Sequence, residues 1–341
     1  MNAPHEEGAA PVAPVRPAPA GQTSWQTPWQ RIEVGTPGPE FEAKAPGQYA
    51  FDFPDSECDG WSTAGPAGLT LRSASVRGAK HRYYRQPRQD AARAAVHEST
   101  GGIAFAVADG VSSATSSEFG ALEACRAVLE RMLYLLSGQP GQPGQQVQPG
   151  QPVQLPARQG PLDFQDVARH AAERLRQLAQ WRLGGQEPTV SDVAALYATT
   201  LVAGTVLPDP AGPLVELFRI GDSGAWLLDT STGRYEPLFG LKSDADTVVV
   251  SNVVTPLPSV PDQLERTTAR LTPGRVLLVA TDGFGDPLGD GDGQVGALFA
   301  SQLAVPPAPL WLAHLLDFSR ETFDDDRSLL AVWPRTTGGA S

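Results

Sequence analysis

The chain has 341 residues, with 26 Lys and Arg against 38 Asp and Glu, which leaves a net charge of −12 at neutral pH. This surplus of carboxylates argues against binding to nucleic acid or to an anionic membrane, because phosphate contacts need clustered Lys and Arg. Cys58 and Cys125 are too few for a disulfide framework and lack the spacing of zinc ligands. Since no apolar run reaches the roughly 18 residues of a membrane span, and the first residues lack an apolar signal core, we expect a cytoplasmic protein.

The N-terminal part divides into two segments of different composition. Residues 1–20 contain six Ala and five Pro, which cannot bury enough surface to offset the entropy of ordering, so we expect a disordered arm. Residues 21–65 contain seven large aromatic residues among prolines and turn residues. Because a free linker has few aromatic residues, we predict that this extension wraps across the surface of the domain that follows.

The rest of the chain is predicted to be one domain over 66–335, followed by a disordered tail at 336–341. A segment at 138–161 interrupts it, and 18 of the 23 residues from 138 to 160 are Gln, Gly or Pro. This composition favours a solvated tether and breaks both helix and strand. Helical patterns lie on both sides of the segment, so we interpret it as an insertion within the domain.

Hydrophobic periodicity predicts the elements of this domain. Apolar residues spaced by three and four predict helices at 116–137 and 163–183, with two more near 294–303 and 309–322. Alternating or continuous apolar runs predict strands at 69–77, 102–108, 200–207, 214–220, 225–228, 247–254, 276–280 and 328–333. Strands on either side of a helix pair predict an α+β sandwich with sheets inside and helices outside.

Four aspartates lie where these apolar strands begin or end: Asp90, Asp109, Asp282 and Asp325. Taken singly, an Asp-Gly pair after a strand is typical of a turn. Together the four can meet at one rim of a sandwich, and residues 280–330 carry nine acidic residues against two arginines. Converging carboxylates repel each other, and an all-oxygen ligand set that offsets this repulsion favours Mg²⁺ or Mn²⁺. The alternative is an acidic, solvated surface.

Six short elements, in this order, resemble those of the metal-dependent protein phosphatases of the protein phosphatase 2C family, in particular its bacterial members. The elements are Gln89-Asp90, Asp109-Gly110, Thr199-Thr200-Leu201, Ile220-Gly221-Asp222-Ser223, Thr281-Asp282-Gly283 and Asp325-Asp326-Arg327-Ser328. No single element is specific, but six in the correct order from about Leu69 to Pro334 make a strong signal.

The resemblance implies a four-layer α-β-β-α sandwich of two antiparallel sheets flanked by helices. It also implies hydrolysis of phosphoserine and phosphothreonine on proteins, by water that a binuclear Mn²⁺ or Mg²⁺ centre activates. The expected partners are phosphorylated proteins from a Ser/Thr kinase pathway in a bacterial cytoplasm, and the protein is expected to be a monomer. Nucleic acid and membranes are not expected partners.

The family's ligand positions carry over to this chain by the resemblance. The ligands would be Asp90, which would bridge both ions, Asp109, the backbone carbonyl of Gly110, Asp282 and Asp325. Asp286 matches a position that helps to hold a third ion. The other usual ligand of that ion precedes the Thr199 element, where Asp192 is offset from the expected place.

Three basic residues before Asp90 are candidates for contacting phosphate or donating a proton. Arg85 has the spacing of the family's usual arginine, and Arg88 stands where the family usually has Asn. His81 lies where a bacterial subgroup has a histidine near the phosphate. The alternative is that residues 81–85 form a basic loop that pairs with the acidic rim. Ala198, in place of the glycine before the two threonines, is expected to perturb a close backbone approach.

Two other functions compete with a phosphatase. Gly221-Asp222-Ser223-Gly224 resembles the nucleophile segment of trypsin-like proteases, but these need a histidine in an apolar turn and usually several disulfides, whereas His97 has polar neighbours. A catalytically degenerate, phosphatase-like regulatory or scaffold module is the second alternative. Loss of metal ligands would indicate it, and the four principal aspartates are all present.

Overall fold

The computed structural model describes residues 30–39, 44, 53–64, 68–138, 161–240 and 255–335. The predicted arm, about half of the extension, nearly all of the insertion, the strand predicted at 247–254 and the tail lie outside the described residues. Backbone contacts divide the chain into a unit at Met1–Arg31 and a unit at Ile32–Ser341. All described helices and strands belong to the second unit.

The described residues form eleven strands and seven helices. The strands are β1 (Ser56–Ser62), β2 (Leu69–Val76), β3 (Ala91–His97), β4 (Gly102–Ala108), β5 (Leu201–Leu207), β6 (Leu214–Ile220), β7 (Gly224–Asp229), β8 (Tyr235–Pro237), β9 (Glu265–Arg270), β10 (Arg275–Ala280) and β11 (Arg327–Pro334). The helices are α1 (Ala79–Tyr84), α2 (Ser117–Leu136), α3 (Phe164–Arg182), α4 (Val190–Tyr197), α5 (Asp282–Leu288), α6 (Gln294–Gln302) and α7 (Pro309–Leu316). Within the described ranges, none of these helices combines the length and the hydropathy needed to cross a bilayer.

The strands form two antiparallel sheets. The first has the order β1-β2-β11-β10-β7-β8, and the second has the order β3-β4-β5-β6-β9. The last strand, β11, lies between β2 and β10, so the end of the domain is in the middle of the first sheet. This arrangement brings the loop before β11 next to the segments that follow β2 and β10.

Three apolar cores separate the four layers. Helices α2, α3 and α4 cover the outer face of the second sheet, and α5, α6 and α7 cover the outer face of the first. The third core lies between the sheets. The predicted α+β, four-layer α-β-β-α sandwich is therefore confirmed.

Strand β4 shows how the sequence builds these layers. Ile103, Phe105 and Val107 point to the core between the sheets, whereas its alanines point to α2 and α3. This alternation follows from the two-residue period of a strand. Small side chains on the helix side let α2 lie close to the sheet, and Gly120 lets α2 approach the main chain of Tyr197 at the end of α4.

Several elements differ from the predictions. Residues 56–62, assigned from the sequence to the N-terminal extension, form edge strand β1, which pairs with β2 from Ser56↔Val76 to Ser62↔Thr70. The segment that the alternative described as a basic loop is mostly helix α1. The helix predicted to reach residue 322 ends at Leu316. An edge strand that exposes one side and a helix of six residues give little periodicity to detect.

Candidate metal centre

Asp90 lies directly before β3 and joins the two sheets. Its side chain is buried, and the Thr281 hydroxyl at the end of β10 donates a hydrogen bond of 2.7 Å to Asp90 Oδ2. The Ser328 N–H on β11 donates to the same hydroxyl oxygen at 3.0 Å. A carboxylate from the second sheet is thus fixed by groups at the ends of two strands of the first.

Asp109 directly follows β4, and the two threonines before β5 hold its main chain. The Thr200 N–H and the Thr199 hydroxyl both donate to the Asp109 carbonyl at 2.8 Å, and the Asp109 N–H donates to Thr200 Oγ1 at 3.2 Å. The Ser223 hydroxyl lies 2.9 Å from Thr200 Oγ1. The elements that contain Thr200 and Ser223 therefore support the backbone of the Asp109-Gly110 element.

Gly110 brings the segments of Asp90 and Asp109 together. Its N–H donates to the Gln89 carbonyl at 3.2 Å, and a Cβ atom on Gly110 would lie 2.8 Å from that oxygen. Only glycine permits this approach. Ala198, which replaces the family's glycine, has an ordinary φ of −56°, and its carbonyl accepts the Val111 N–H at 2.9 Å.

Asp282 begins helix α5, and Asp325 lies in the loop before β11. Two glycines allow this loop to approach closely. A Cβ on Gly283 would lie 1.9 Å from the Asp326 carbonyl oxygen, and a Cβ on Gly78 would lie 2.3 Å from the Asp324 carbonyl oxygen. A side chain at either glycine would therefore displace the loop that carries Asp325.

Asp326 ties this loop to the segment before Asp90. Its buried carboxylate accepts the Gly78 N–H at 2.7 Å and the Gln89 N–H at 2.6 Å. Asp326 lies within a family motif but was not predicted as a site residue. Its position next to Asp325, a predicted ligand, was the sequence feature that could have indicated a role at the site.

The carboxylates lie close enough to change one another's ionisation. The pKa of Asp90 is raised to about 8, chiefly by burial and also by the negative charges of Asp326, Asp282 and Asp325, while the Thr281 hydrogen bond lowers it. Burial also raises the pKa of Asp109 well above its ordinary value, together with Asp90, Asp282 and Asp325. The structure therefore brings the four predicted aspartates together at one rim of the sandwich.

This group of side chains fits hard divalent cations. The donors are all oxygen atoms, which Mg²⁺ and Mn²⁺ prefer. Each carboxylate disfavours ionisation of its neighbours, and a divalent cation would offset that repulsion. Asp90, Asp109, Asp282 and Asp325, with the Gly110 carbonyl, are the groups that would hold the ions.

The two residues considered for a third ion lie in different surroundings. Asp286 is exposed on α5, one turn after Asp282, and both line the same cleft. Asp192 instead belongs to the capping box of α4, where its carboxylate accepts the Thr189 N–H at 2.9 Å and the Thr189 hydroxyl at 2.7 Å. Of the two, Asp286 is the one next to the centre.

His81 lies buried on α1, between the two aspartates of the loop before β11. Its Nδ1 is 2.9 Å from Asp326 Oδ2, and its Nε2 is 3.6 Å from Asp325 Oδ1. Burial lowers the pKa of His81, but the adjacent Asp326 and the charges of Asp325 and Asp90 outweigh burial and raise it. A protonated His81 would thus hold the loop next to the centre.

Arg88 was predicted as a phosphate contact, and the structure shows which protein groups its guanidinium contacts. The guanidinium is buried and pairs with Glu57 on β1, with Nη2 and Oε2 separated by 2.9 Å. It also donates to the carbonyls of Asp90, Pro54 and Ser75 at 3.2 to 3.4 Å. Arg88 is a positioning residue that fixes the main chain of Asp90.

Arg85 differs from Arg88 in both exposure and conformation. It is exposed and follows α1, with a φ of 64° that ends the helix in the left-handed region. The remaining arginine of this helix, Arg82, pairs with Asp55 and Asp317. Of the three arginines at positions 82, 85 and 88, Arg85 is therefore the most exposed.

We expect Arg88→Lys to lower the free energy of unfolding by about 2 kcal/mol, because lysine cannot replace the several hydrogen bonds of a buried guanidinium. The KM for p-nitrophenyl phosphate should stay within about twofold. Arg93→Lys is the matched control, because Arg93 also pairs with Glu57 but is 35% exposed; its effect on stability should be smaller. An unchanged stability with a severalfold higher KM would restore Arg88 as a phosphate contact.

The geometry does not support the protease alternative. The Ser223 hydroxyl is paired with Thr200, whereas His97 lies 3.1 Å from the Ser137 hydroxyl and 3.0 Å from that of Thr100. Ser223 therefore supports a turn at Gly221, which has a φ of 103°.

The family model described as protein phosphatase 2C matches residues 77–317. The chain belongs to the protein phosphatase 2C family. No curated protein matches the sequence significantly.

Solved structures show the same fold at low sequence identity. A serine/threonine phosphatase of S. agalactiae is 14% identical, with 78% of this chain and 100% of that chain covered and a TM-score of 0.53. A variant of a bacterial serine phosphatase is also 14% identical, with 79% of this chain and 100% of that chain covered and a TM-score of 0.50. The sandwich is thus the fold of bacterial phosphatases.

Proposed function

We propose that this protein is a metal-dependent phosphatase that hydrolyses phosphoserine and phosphothreonine on proteins, with a binuclear Mg²⁺ or Mn²⁺ centre. The observation that carries the proposal is the convergence of Asp90, Asp109, Asp282 and Asp325, which lie up to 235 positions apart in the sequence. Membership of the protein phosphatase 2C family supports the reaction class. Phosphorylated proteins of a Ser/Thr kinase pathway are the proposed partners, in the cytoplasm of a bacterium.

The chain's own residues prepare the site for this reaction. When bound, divalent cations would supply the Lewis acidity that ionises water and neutralises phosphate charge. Thr281 orients the carboxylate of Asp90 for binding them, and Thr199 and Thr200 hold the main chain that carries Asp109. These supporting hydrogen bonds fix the oxygen donors before substrate arrives, so little reorganisation is needed during the reaction.

Two basic residues supply the remaining functions. The pKa of His81 is raised, which favours the protonated imidazole beside Asp325, and this proton would be available for the alkoxide leaving group. The exposed Arg85 would contact the phosphate of the bound substrate. Because His81 is 3% exposed, its first role is to hold the loop, and proton donation is its second.

The proposal is tested by measuring phosphate release from phosphoserine, phosphothreonine and phosphotyrosine peptides. We expect hydrolysis of the first two with Mn²⁺ or Mg²⁺ and none in EDTA. The regulatory module is the competing possibility. A protein that binds phosphopeptides equally well in EDTA and never releases phosphate would be such a module, and the proposed activity would be wrong.

A further inference from the structure

Ser117 is the first residue of helix α2, and its hydroxyl has no hydrogen-bond partner among the described residues. Its side chain is fully buried. A buried hydroxyl without a partner destabilises a protein, because on folding it gives up the hydrogen bonds that it makes to water. Such a group therefore indicates a partner that becomes available when a ligand is bound nearby.

This hydroxyl belongs to a residue that packs directly on a predicted metal ligand. A Cβ atom on Gly110 would lie 2.8 Å from the Ser117 Cβ and 2.9 Å from the Ser117 carbonyl carbon. The Gly110 carbonyl is one of the groups that would hold the ions, and within the described ranges no residue donates a hydrogen bond to it. An unpaired acceptor and an unpaired donor thus belong to two buried residues that are in contact.

Helix α4 holds the loop that leads to Ser117. The Thr115 N–H donates to the Ala195 carbonyl, and the Ser116 N–H donates to the Leu196 carbonyl, both at 2.9 Å. Because these two successive bonds fix the main chain, the direction of the Ser117 hydroxyl depends on rotation about its χ1 angle alone. The first turn of α2 is therefore in place before an ion binds, and this preorganises the hydroxyl as a donor.

We propose that Ser117 is a positioning residue of the metal centre. When a divalent cation lies beside the Gly110 carbonyl, the Ser117 hydroxyl donates a hydrogen bond to a water of that cation's hydration shell. Mg²⁺ usually keeps several waters when it binds to a protein, so a donor at this place holds the hydration shell in one orientation. The proposal rests on the metal-binding part of the proposed function.

Ser117→Ala tests the proposal, because alanine keeps the Cβ atom that packs on Gly110 and removes the hydroxyl. Calorimetric titration of the metal-free protein with Mn²⁺ should give an affinity about tenfold lower for at least one ion. In EDTA the variant should be at least as stable to urea as the unmodified protein, since no hydrogen bond is lost. The stability that a fixed concentration of Mn²⁺ adds should be smaller in the variant.

Thr205→Val is the matched control, because the Thr205 hydroxyl is also buried and has no partner among the described residues. Thr205 lies on β5, about 16 Å along the strand from Thr200, which supports the Asp109 main chain. This variant should also be at least as stable in EDTA, and its affinity for Mn²⁺ should be unchanged. The EPR spectrum of bound Mn²⁺ should change in Ser117→Ala but not in Thr205→Val, because it reports the groups around the ion and not the stability of the fold.

The outcomes distinguish this proposal from the proposed function. If the unmodified protein binds no Mn²⁺, both fail. If Ser117→Ala binds Mn²⁺ as tightly as the unmodified protein, or is less stable in EDTA, the positioning role fails and the phosphatase stands. An equal loss of affinity in Thr205→Val would also overturn the positioning role, because the effect would not be specific to the centre. A protein that binds Mn²⁺ with the predicted difference between the variants but hydrolyses no phosphopeptide would overturn the phosphatase and leave the role of Ser117 in place.

Discussion

Replacing Asp282 with Asn is expected to abolish phosphatase activity, with a fall in kcat/KM of more than about a hundredfold. Asn keeps the shape of the side chain but removes the charge and one strong oxygen donor. Asp109→Asn should have the same effect, because burial and the same neighbours surround its carboxylate. The measurement is hydrolysis of p-nitrophenyl phosphate at saturating Mn²⁺.

These variants should remain folded, because removing one of several converging charges relieves repulsion. Circular dichroism and thermal unfolding in EDTA would show an unchanged or higher melting temperature. Asp292→Asn is the control for loss of a nearby acidic residue outside the centre, and its activity should match that of the unmodified protein. Undiminished turnover in the Asp282 and Asp109 variants would contradict the assignment of these ligands.

In the absence of divalent cations, the protein is expected to lose stability as the pH rises from about 5 to about 8. The pKa of Asp90 is raised to about 8 and that of Asp109 is also raised, so the folded state holds these protons more tightly than the unfolded chain. Stability from these groups is therefore present at low pH and is lost as the pH rises through the folded-state pKa. The loss should reach a few kcal/mol, since one pKa unit corresponds to about 1.4 kcal/mol.

Urea unfolding in EDTA at several pH values measures this effect, and added Mg²⁺ should remove most of the pH dependence. Asp90→Asn should be more stable than the unmodified protein at pH 8 in EDTA and should gain little from Mg²⁺. Asp292→Asn should keep the original pH dependence. A stability in EDTA that stays constant or increases over this range would contradict the convergence of buried carboxylates.

The sequence predicts the elements in which burial repeats regularly. Strand β4 was found at its observed bounds because every residue is buried, and α2 because its apolar residues recur at three and four. Strand β1 was missed because its residues are polar or half-exposed and only its pairing with β2 makes it a strand. The local hydrophobic pattern thus locates central strands and helices better than it locates edge strands.

The site was predictable in part for the same reason. Asp90, Asp109, Asp282 and Asp325 stand out because each lies at a strand end, and the family resemblance orders them. Which side chains point to the rim depends on contacts between distant segments. Arg88, for example, pairs with Glu57, 31 positions earlier in the chain.

Supporting residues were harder to find than ligands. Asp326 holds Gly78 and Gln89, which are 248 and 237 positions away, and no local pattern reports such contacts. The same is true of Thr281, whose hydroxyl reaches Asp90 across 191 positions. Both residues lie within family motifs, so their positions can be found in the sequence. Only the fold shows which groups they contact.

The central claim is that four distant carboxylates form one site for divalent cations. Calorimetric titration of the metal-free protein with Mn²⁺ tests it most directly, with Asp90→Asn measured in parallel. We predict uptake of two ions by the unmodified protein and loss of at least one in the variant, because Asp90 would contact both. No uptake by the unmodified protein, or equal uptake by the two, would contradict the account.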